Sequence, residues 1–483
     1  MRRRAERSAV SESTAYDLGF RSLTEEVTDR RLPVEGTIPE WLSGALIRNG
    51  PGQFDIGGER VTHWFDGLAM LRRYGFEDGE VYYTNRFLRS EAKAAADEGR
   101  VTGEFATDDG LIAKAKRWLR NSGPPKPTDN ANVHVARIGD EYVALTEAPR
   151  WRTFDPVTLE TGPEFDWNDD LTEHMTAAHL SVDPGGETFG FGLQFGRSPT
   201  YHLYRVPPGS SERERIASVS AEGPGYIHDI AVTRNYLVLV ETPLTIGILQ
   251  ALLPWNEGLL DAFTYDETRE SRFIIVDRES GDLVAEPTTA PFFTFHHINA
   301  YEDGTSLVVD LVTFEDEAIL DAMTFDALES GEYTVASDGR YDRFRIDPTT
   351  NRIDRDRRYA GGLELPTVPR AVRGRRHRYA YAQATDRAGA NGLVKIDADR
   401  GTAAEWWGES MYVEELRMIH RPDGDTEDDG VIIAPALDAA AERSVLLVFD
   451  AATLDVLARA PLPHALPFGF HGRFFPEIPA RLA

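Results

Sequence analysis

Short apolar runs separated by polar turns recur along most of the chain: "EYVALTE", "YLVLVET", "SLVVDLVTF", "RYAYAQA", "GVIIAPAL" and "SVLLVFD". Their length and their content of Val, Ile, Tyr and Phe predict strands. One unit repeats. An apolar strand ends in aspartate, a polar turn follows, and a second strand leaves. It occurs as "RTFDPVTLETGPEF", "FIIVDRESGDLVAE", "FRIDPTTNRIDRD", "VKIDADRGTAAEW" and "LVFDAATLDVLAR", with Asp155, Asp277, Asp347, Asp397 and Asp450 at the corner. An aspartate side chain bonds backbone two residues on and so fixes such a turn. The last three copies lie 50 and 53 residues apart, close to the length of a propeller blade. This spacing favours an all-β propeller over a sandwich of unrelated hairpins. No linker composition interrupts the pattern. The expected organisation is a disordered tail over residues 1–15 and one β-propeller domain over 16–483.

Two segments break the strand pattern. In "GLIAKAKRWLRNSGPPK" (110–126), Leu111, Ile112, Ala115, Trp118 and Leu119 fall on one helical face, and Lys114, Lys116, Arg117 and Arg120 lie elsewhere. "PLTIGILQALLPWNEGLLDAF" (243–263) is apolar but broken by Pro254. A basic amphipathic helix bearing Trp has the composition of a membrane-surface element. Core packing or a solvated surface is the alternative for either segment alone.

Charge narrows the function classes. The net charge is −28, with 80 acidic against 52 basic residues, which argues against nucleic acid as a partner. Only five residues are lysine: Lys93, Lys114, Lys116, Lys126 and Lys395. An acidic, lysine-poor chain points to a salt-rich, halophilic cytoplasm, where negative charge keeps protein soluble. There is no cysteine, which excludes disulfides, thiolate nucleophiles, iron–sulfur clusters and cysteine-bound zinc. The start "MRRRAERSAVSES" is basic with no apolar stretch after it, so no signal peptide is expected. No run reaches the ~18 apolar residues of a membrane helix. The expectation is a soluble, cytoplasmic protein.

Twelve histidines remain as candidate chemistry. Most have ordinary surface or packing explanations, among them His63, His134, His174, His202, His377, His420 and His464. Four stand in more suggestive places: His179 in "MTAAHLSVDP", His228 in "GYIHDIAV", His296 in "FFTFHHINAYEDG" and His471 in "LPFGFHGRFFP". Their separations of 49, 68 and 175 residues form no spacing motif. On residue types alone, satisfied core histidines remain the alternative to a metal site.

The ordered set of segments resembles the carotenoid cleavage oxygenases, non-haem iron enzymes that split polyenes with dioxygen. The resemblance runs through "LIRNGPGQFDIGG", "THWFDGLAMLRRYGFEDGEVYYTNRFLRSE", "PTDNANV", "YVALTE", "YIHDIAVTRNYLVLVETP", "FHHINAYEDG", "EDDGVII" and "LPFGFHG", covering nearly everything after residue 16. It implies a seven-bladed β-propeller with a loop and helix cap over a substrate tunnel. It implies one Fe(II) on the axis, held by His179, His228, His296 and His471, with His297 a neighbour and not a ligand. Three glutamates are then expected to hold imidazoles: Glu147 for His228, Glu364 for His296 and Glu409 for His471. Val133 matches a position near an open coordination site. Leu180 stands where the family often has proline.

The resemblance also sets expectations for substrate and partners. Thr146 replaces the lysine that stilbene-cleaving members carry before the first glutamate. The wording of the matched segments is nearer the retinal-forming β-carotene branch. The implied reaction is cleavage of a carotenoid double bond by O2 to aldehydes. Apocarotenoid or stilbene cleavage and retinoid isomerisation are the alternatives on the same scaffold, and a propeller that merely binds a polyene is a further one. The segments 110–126 and 243–263 fall in the family's lipid-facing places. Leu111, Ile112, Trp118, Leu119, Ile248, Leu249, Leu252, Leu253 and Trp255 are the candidate contacts with the inner face of the cell membrane, without a cysteine for lipid attachment.

Overall fold

Among the described residues seven antiparallel blades follow one another along the chain and close into a ring, a β-propeller, with one parallel bridge joining blades 6 and 7 at Asn391 and Tyr412. The computed structural model describes residues 16–102, 105–107, 126–221, 223–248, 258–330, 339–387 and 390–482. Blade 2 runs from its inner strand His134–Ile138 outward to Thr161–Glu164, and blade 3 from Met175–Thr176 and Ser181–Val182 to Glu214–Ser220. Blade 4 spans Ala231–Val232 to Leu283–Ala285 and blade 5 His297–Asp303 to Arg352–Tyr359. Blade 6 spans Leu363–Thr367 to Thr402–Trp406. Blade 7 opens with Met411–Val413 and Arg417–His420 and ends with Val456–Pro461.

Both ends of the chain complete the ring. Blade 1 takes its inner strand, Gly472–Phe475, from the C-terminal end and pairs it with Gly44–Arg48, so that Arg48 faces Gly472. Glu35–Gly36 adds an outer edge to blade 7 through Glu35 opposite Arg459.

The central strands of each blade are sandwiched between neighbouring blades and are buried on both faces. Ser306–Thr313 and Gly430–Asp438 are buried almost throughout. This explains why they read as continuous apolar runs and not as alternating ones. The outermost strands Arg352–Tyr359 and Thr402–Trp406 are largely exposed and carry charge instead. The five corner aspartates all sit between the third and fourth strands of a blade. Asp155 accepts from Val157 N at 2.9 Å and Asp277 from Glu279 N at 3.0 Å. Asp347 accepts from Thr349 N at 2.9 Å, Asp450 from Ala452 N at 2.9 Å, and Asp397 from Arg400 N at 3.1 Å. Blade 1 turns at the corresponding place by a different device, Asp78 and Gly79 both at positive φ, a pairing suited to a two-residue hairpin.

A cap covers one end of the axis. The Asp66 carboxylate accepts from Phe105 N at 2.8 Å and from Ala106 N and Thr107 N at 2.9 Å, tying that segment to the "HWFDG" turn. Leu260 N donates to Phe105 O at 2.7 Å. Residues 110–125 and 249–257 lie outside the described residues, so the membrane candidates Leu111, Ile112, Trp118, Leu119, Leu249, Leu252, Leu253 and Trp255 are not placed. Ile248 is half-buried. The described ends of the second segment are strands: Leu244–Ile246 pairs with Phe263–Tyr265. Among the described residues no helix is long and apolar enough to cross a membrane.

Candidate metal centre

The inner strands begin around the axis, and four of the blades place a histidine there. His471 immediately precedes Gly472–Phe475 and His296 immediately precedes His297–Asp303. His228 leads into Ala231–Val232, and His179 sits between the two short inner strands of blade 3. One ring nitrogen from each comes together in a group whose ligand atoms all lie within 4.8 Å of one another. Ring centroids are 4.2 Å apart for His179 and His471 and 4.6 Å for His179 and His228. The Nε2 atoms of His296 and His471 are 3.3 Å apart.

Carboxylates hold the outer nitrogens of three rings. His228 Nδ1 lies 2.5 Å from Glu147 Oε1, and the Tyr226 hydroxyl donates to the same oxygen at 2.6 Å. His296 Nδ1 lies 2.6 Å from Glu364 Oε2, which also accepts from Leu365 N. His471 Nδ1 lies 2.8 Å from Glu415 Oε1. Glu415 is fixed in turn by Arg417 Nη2 at 2.7 Å and by Gly472 N at 2.8 Å.

Glu409 does not hold His471. It is exposed in the turn before Met411–Val413, and the buried carboxylate of Glu415 takes that place. The reason is alternation. In "MYVEELRM" the adjacent acids Glu414 and Glu415 turn to opposite sides. Glu414 Oε2 accepts from Gly469 N at 2.7 Å and Arg48 Nη1 at 2.8 Å, while Glu415 reaches the ring. Two buried carboxylates among Met411, Tyr412, Val413, Leu416 and Met418 were the signal in the sequence.

The clamp on His471 also explains the glycines of "FGFHG". A Cβ on Gly469 would stand 2.5 Å from Arg72 Nη1, and one on Gly472 would stand 2.5 Å from Arg48 Cγ. Val133 flanks the centre: its carbonyl accepts from His471 N at 3.2 Å. His297 points elsewhere and is not in the group of four. His134, first residue of blade 2's inner strand, is closer to the centre than its sequence context suggested. Its ring lies 5.0 Å from that of His179. Its Nδ1 accepts from Val135 N at 2.7 Å.

The electrostatics match a cation. Burial, and then the neighbouring imidazoles, hold His179 and His471 far below the usual histidine range, so both rings are neutral. Burial also lowers His296, but the Glu364 carboxylate outweighs it and raises the ring overall. With Nδ1 of His228, His296 and His471 held by carboxylates, the opposite nitrogen of each ring is left for the centre. His179 Nε2 is buried without a hydrogen-bond partner among the described residues. Four converging imidazole nitrogens, three of them braced from behind by carboxylates, fit a divalent metal ion.

Aromatic rings surround this centre on the cap side. Phe295 lies 5.4 Å from the His228 ring, and contacts continue through Phe65 at 6.4 Å to Phe105 at 5.1 Å and Phe263 at 6.3 Å.

A seven-bladed propeller with four histidines on its axis, three braced by glutamates, defines a metal-centred propeller protein. The chain matches the model of the family described as retinal pigment epithelial membrane protein (RPE65) over residues 20–476. It belongs to this family, the carotenoid cleavage oxygenases. It is 32% identical to a carotenoid isomerooxygenase of Galleria mellonella, over 95% of this chain and 96% of that one. It is 28% identical to the β,β-carotene 15,15'-dioxygenase of Rattus norvegicus, over 95% and 91%. Among solved structures, cobalt-substituted apocarotenoid oxygenase of Synechocystis aligns with a TM-score of 0.85 at 25% identity, over 95% of this chain and 98% of that one.

Proposed function

We propose that this protein is a non-haem iron(II) dioxygenase that cleaves a carbon–carbon double bond of a carotenoid to aldehyde products, retinal among them. The observation that carries the reading is the juxtaposition of four converging imidazole nitrogens with an aromatic wall. Four neutral nitrogen donors leave a divalent ion its full charge and open positions, which suits Fe(II) better than a closed structural zinc site. Iron(II) held there supplies the activation of dioxygen beside the polyene.

The protein's own residues position and exclude. His179, His228, His296 and His471 hold the metal, and Glu147, Glu364 and Glu415 fix the tautomer and aim of three of them. Phe295, Phe65, Phe105 and Phe263 offer an apolar path suited to an extended polyene and keep water away. The Val133 side chain restricts what reaches the far side of the centre. No carboxylate base or nucleophile is needed.

Thr146 supplies no cation to grip a phenolate, which disfavours a stilbene. The relatives named as dioxygenases favour cleavage over isomerisation. The basic amphipathic sequence of 110–126 and the apolar composition of 243–263 support loading of substrate from the inner face of a membrane, as a peripheral protein in a salt-rich cytoplasm.

The test is a product assay in high salt. Iron-loaded protein is given β-carotene, an apocarotenal or a hydroxystilbene in detergent micelles, and aldehydes are identified by mass. Retinal from β-carotene supports central cleavage. Activity on the apocarotenal alone moves the substrate class, and stilbene cleavage contradicts the reading of Thr146.

A further inference from the structure

We propose that the propeller axis carries a second site, for a small oxyanion of the phosphate class, formed by arginines of blades 6, 7 and 1 beyond the histidine centre. Arg417 and Arg473 lie two residues along their inner strands from Glu415 and His471. Period-two alternation puts each on the same side as its predecessor, one step further along the axis. Contacts place them together: Arg417 Nε donates at 2.8 Å to the carbonyl of Gly472, the peptide that leads into Arg473. The Arg473 side chain runs on over Phe475, its Cζ 5.8 Å from the ring centroid.

Arg370 and Arg373 enter from the turn after blade 6's inner strand. Asn299 of blade 5 pins this turn. Its amide donates to Val372 O at 3.0 Å and Arg375 O at 2.9 Å, and its oxygen accepts from Gly374 N at 3.0 Å.

Arg417 is paired with Glu415 at 2.7 Å, and what marks the cluster is that its other three arginines have no acid committed to them. Buried arginines elsewhere hold carboxylates directly: Arg48 with Glu414 at 2.8 Å, Arg213 with Asp169 at 2.8 Å and Arg343 with Asp310 at 2.7 Å. Arg370, Arg373 and Arg473 have no such partner among the described residues. The acids within range are engaged elsewhere. Asp229 Oδ2 accepts from His297 N at 3.1 Å, and Glu477 Oε1 accepts from Tyr142 Oη at 3.1 Å and Arg137 Nη1 at 3.3 Å. Burial, then Arg417, Arg473 and Arg370, push the Arg373 guanidinium down to about 9. An anion between them removes that repulsion.

Arg373 and Arg473 are half-buried, so a small solute reaches them. Planar guanidinium forks match the paired oxygens of an oxyanion and not the single centre of a halide. Occupancy would tie blades 6, 7 and 1 together where the ring closes, next to the Glu415 that braces His471.

The experiment is a phosphate titration of the metal-loaded full chain at constant ionic strength, read by thermal denaturation. A saturable rise in midpoint is expected, about 3 °C at a hundredfold excess over Kd. The rise is expected to be lost in Arg373→Met and Arg473→Met and kept in Arg352→Met. A rise linear in phosphate and equal in all four proteins overturns the site. Equal saturation by chloride overturns the oxyanion assignment. Because a variant could fail to fold, crystals of the unmodified protein are soaked in selenate. An anomalous peak between Arg373 and Arg473 is the expected result, and its absence contradicts the proposal.

Discussion

His296 and His471 turn their Nε2 atoms toward each other at 3.3 Å while Glu364 and Glu415 occupy the opposite nitrogens at 2.6 Å and 2.8 Å. Each carboxylate holds the Nδ1 side of its ring and leaves the facing nitrogens to share a cation. Two acceptors at that separation repel unless a cation lies between them. His179, whose Nε2 has no partner among the described residues, adds a third nitrogen to the same space. The four rings are therefore arranged to share one cation.

Chelation should lower the thermal midpoint, and Fe(II) should restore it. At free metal a hundredfold above Kd the gain is about 2.7 kcal/mol, roughly 3 °C for a chain of this size. Calorimetry across an Fe(II) titration checks this. A midpoint that is indifferent to metal contradicts the reading.

Glu415, and not Glu409, should control metal retention. Removing an outer carboxylate costs about 10–100-fold in affinity. Chelator competition should therefore show that loss in Glu415→Gln, while Glu409→Gln, altered at an exposed turn, behaves as the wild type.

Arg48 should be costly to remove. It is 1% exposed and pairs with Glu414, 3% exposed, at 2.8 Å. Its other Nη donates to Phe470 O at 3.1 Å. Arg48→Met strips a buried carboxylate of its nearest cation, leaving it only Arg72 Nη1 at 3.9 Å and Gly469 N, and should destabilise by roughly 3 kcal/mol in urea unfolding. The exposed pair Arg352–Asp354, 72% and 57% exposed, is the control: Arg352→Met should change stability by no more than about 0.5 kcal/mol.

His377 should contribute to acid sensitivity. It is buried between Asn299 Nδ2, 3.1 Å from its Nδ1, and the Tyr341 hydroxyl, 3.2 Å from its Nε2. The nearby Asp310 is already committed to Arg343 at 2.8 and 2.7 Å. Burial therefore prevails, and the ring is pushed down to about 4. The unfolded ring takes a proton near pH 6.5 and the folded one does not until about pH 4. Its contribution is whole above pH 6.5 and falls away as pH drops to 4, on the order of 3 kcal/mol in all. His377→Gln should flatten stability against pH in that window by about one proton. An unchanged slope would sink the assignment.

Much of the fold was legible because it is written locally. Asp155, Asp277, Asp347, Asp397 and Asp450 each set a turn with backbone two or three residues away, and their spacing exposes the blades. The ring closure was not legible, since Gly472–Phe475 and Gly44–Arg48 meet only when the whole circle is built. The four histidines were identified through the wording around them. Glu415 was missed because a carboxylate that braces a distant ring has no local signature beyond its burial, and Glu409 was placed there only by resemblance. Tyr226, two residues from His228, was missed for the same reason: its bond to Glu147 joins two blades.

The most direct measurement is a single-turnover reaction of protein containing one iron per chain with β-carotene under ¹⁸O2, products read by mass. The account predicts aldehydes carrying the label, absent under argon and absent in His296→Ala. Unlabelled or missing aldehydes from protein that holds its iron stoichiometrically, with every polyene offered, would contradict it.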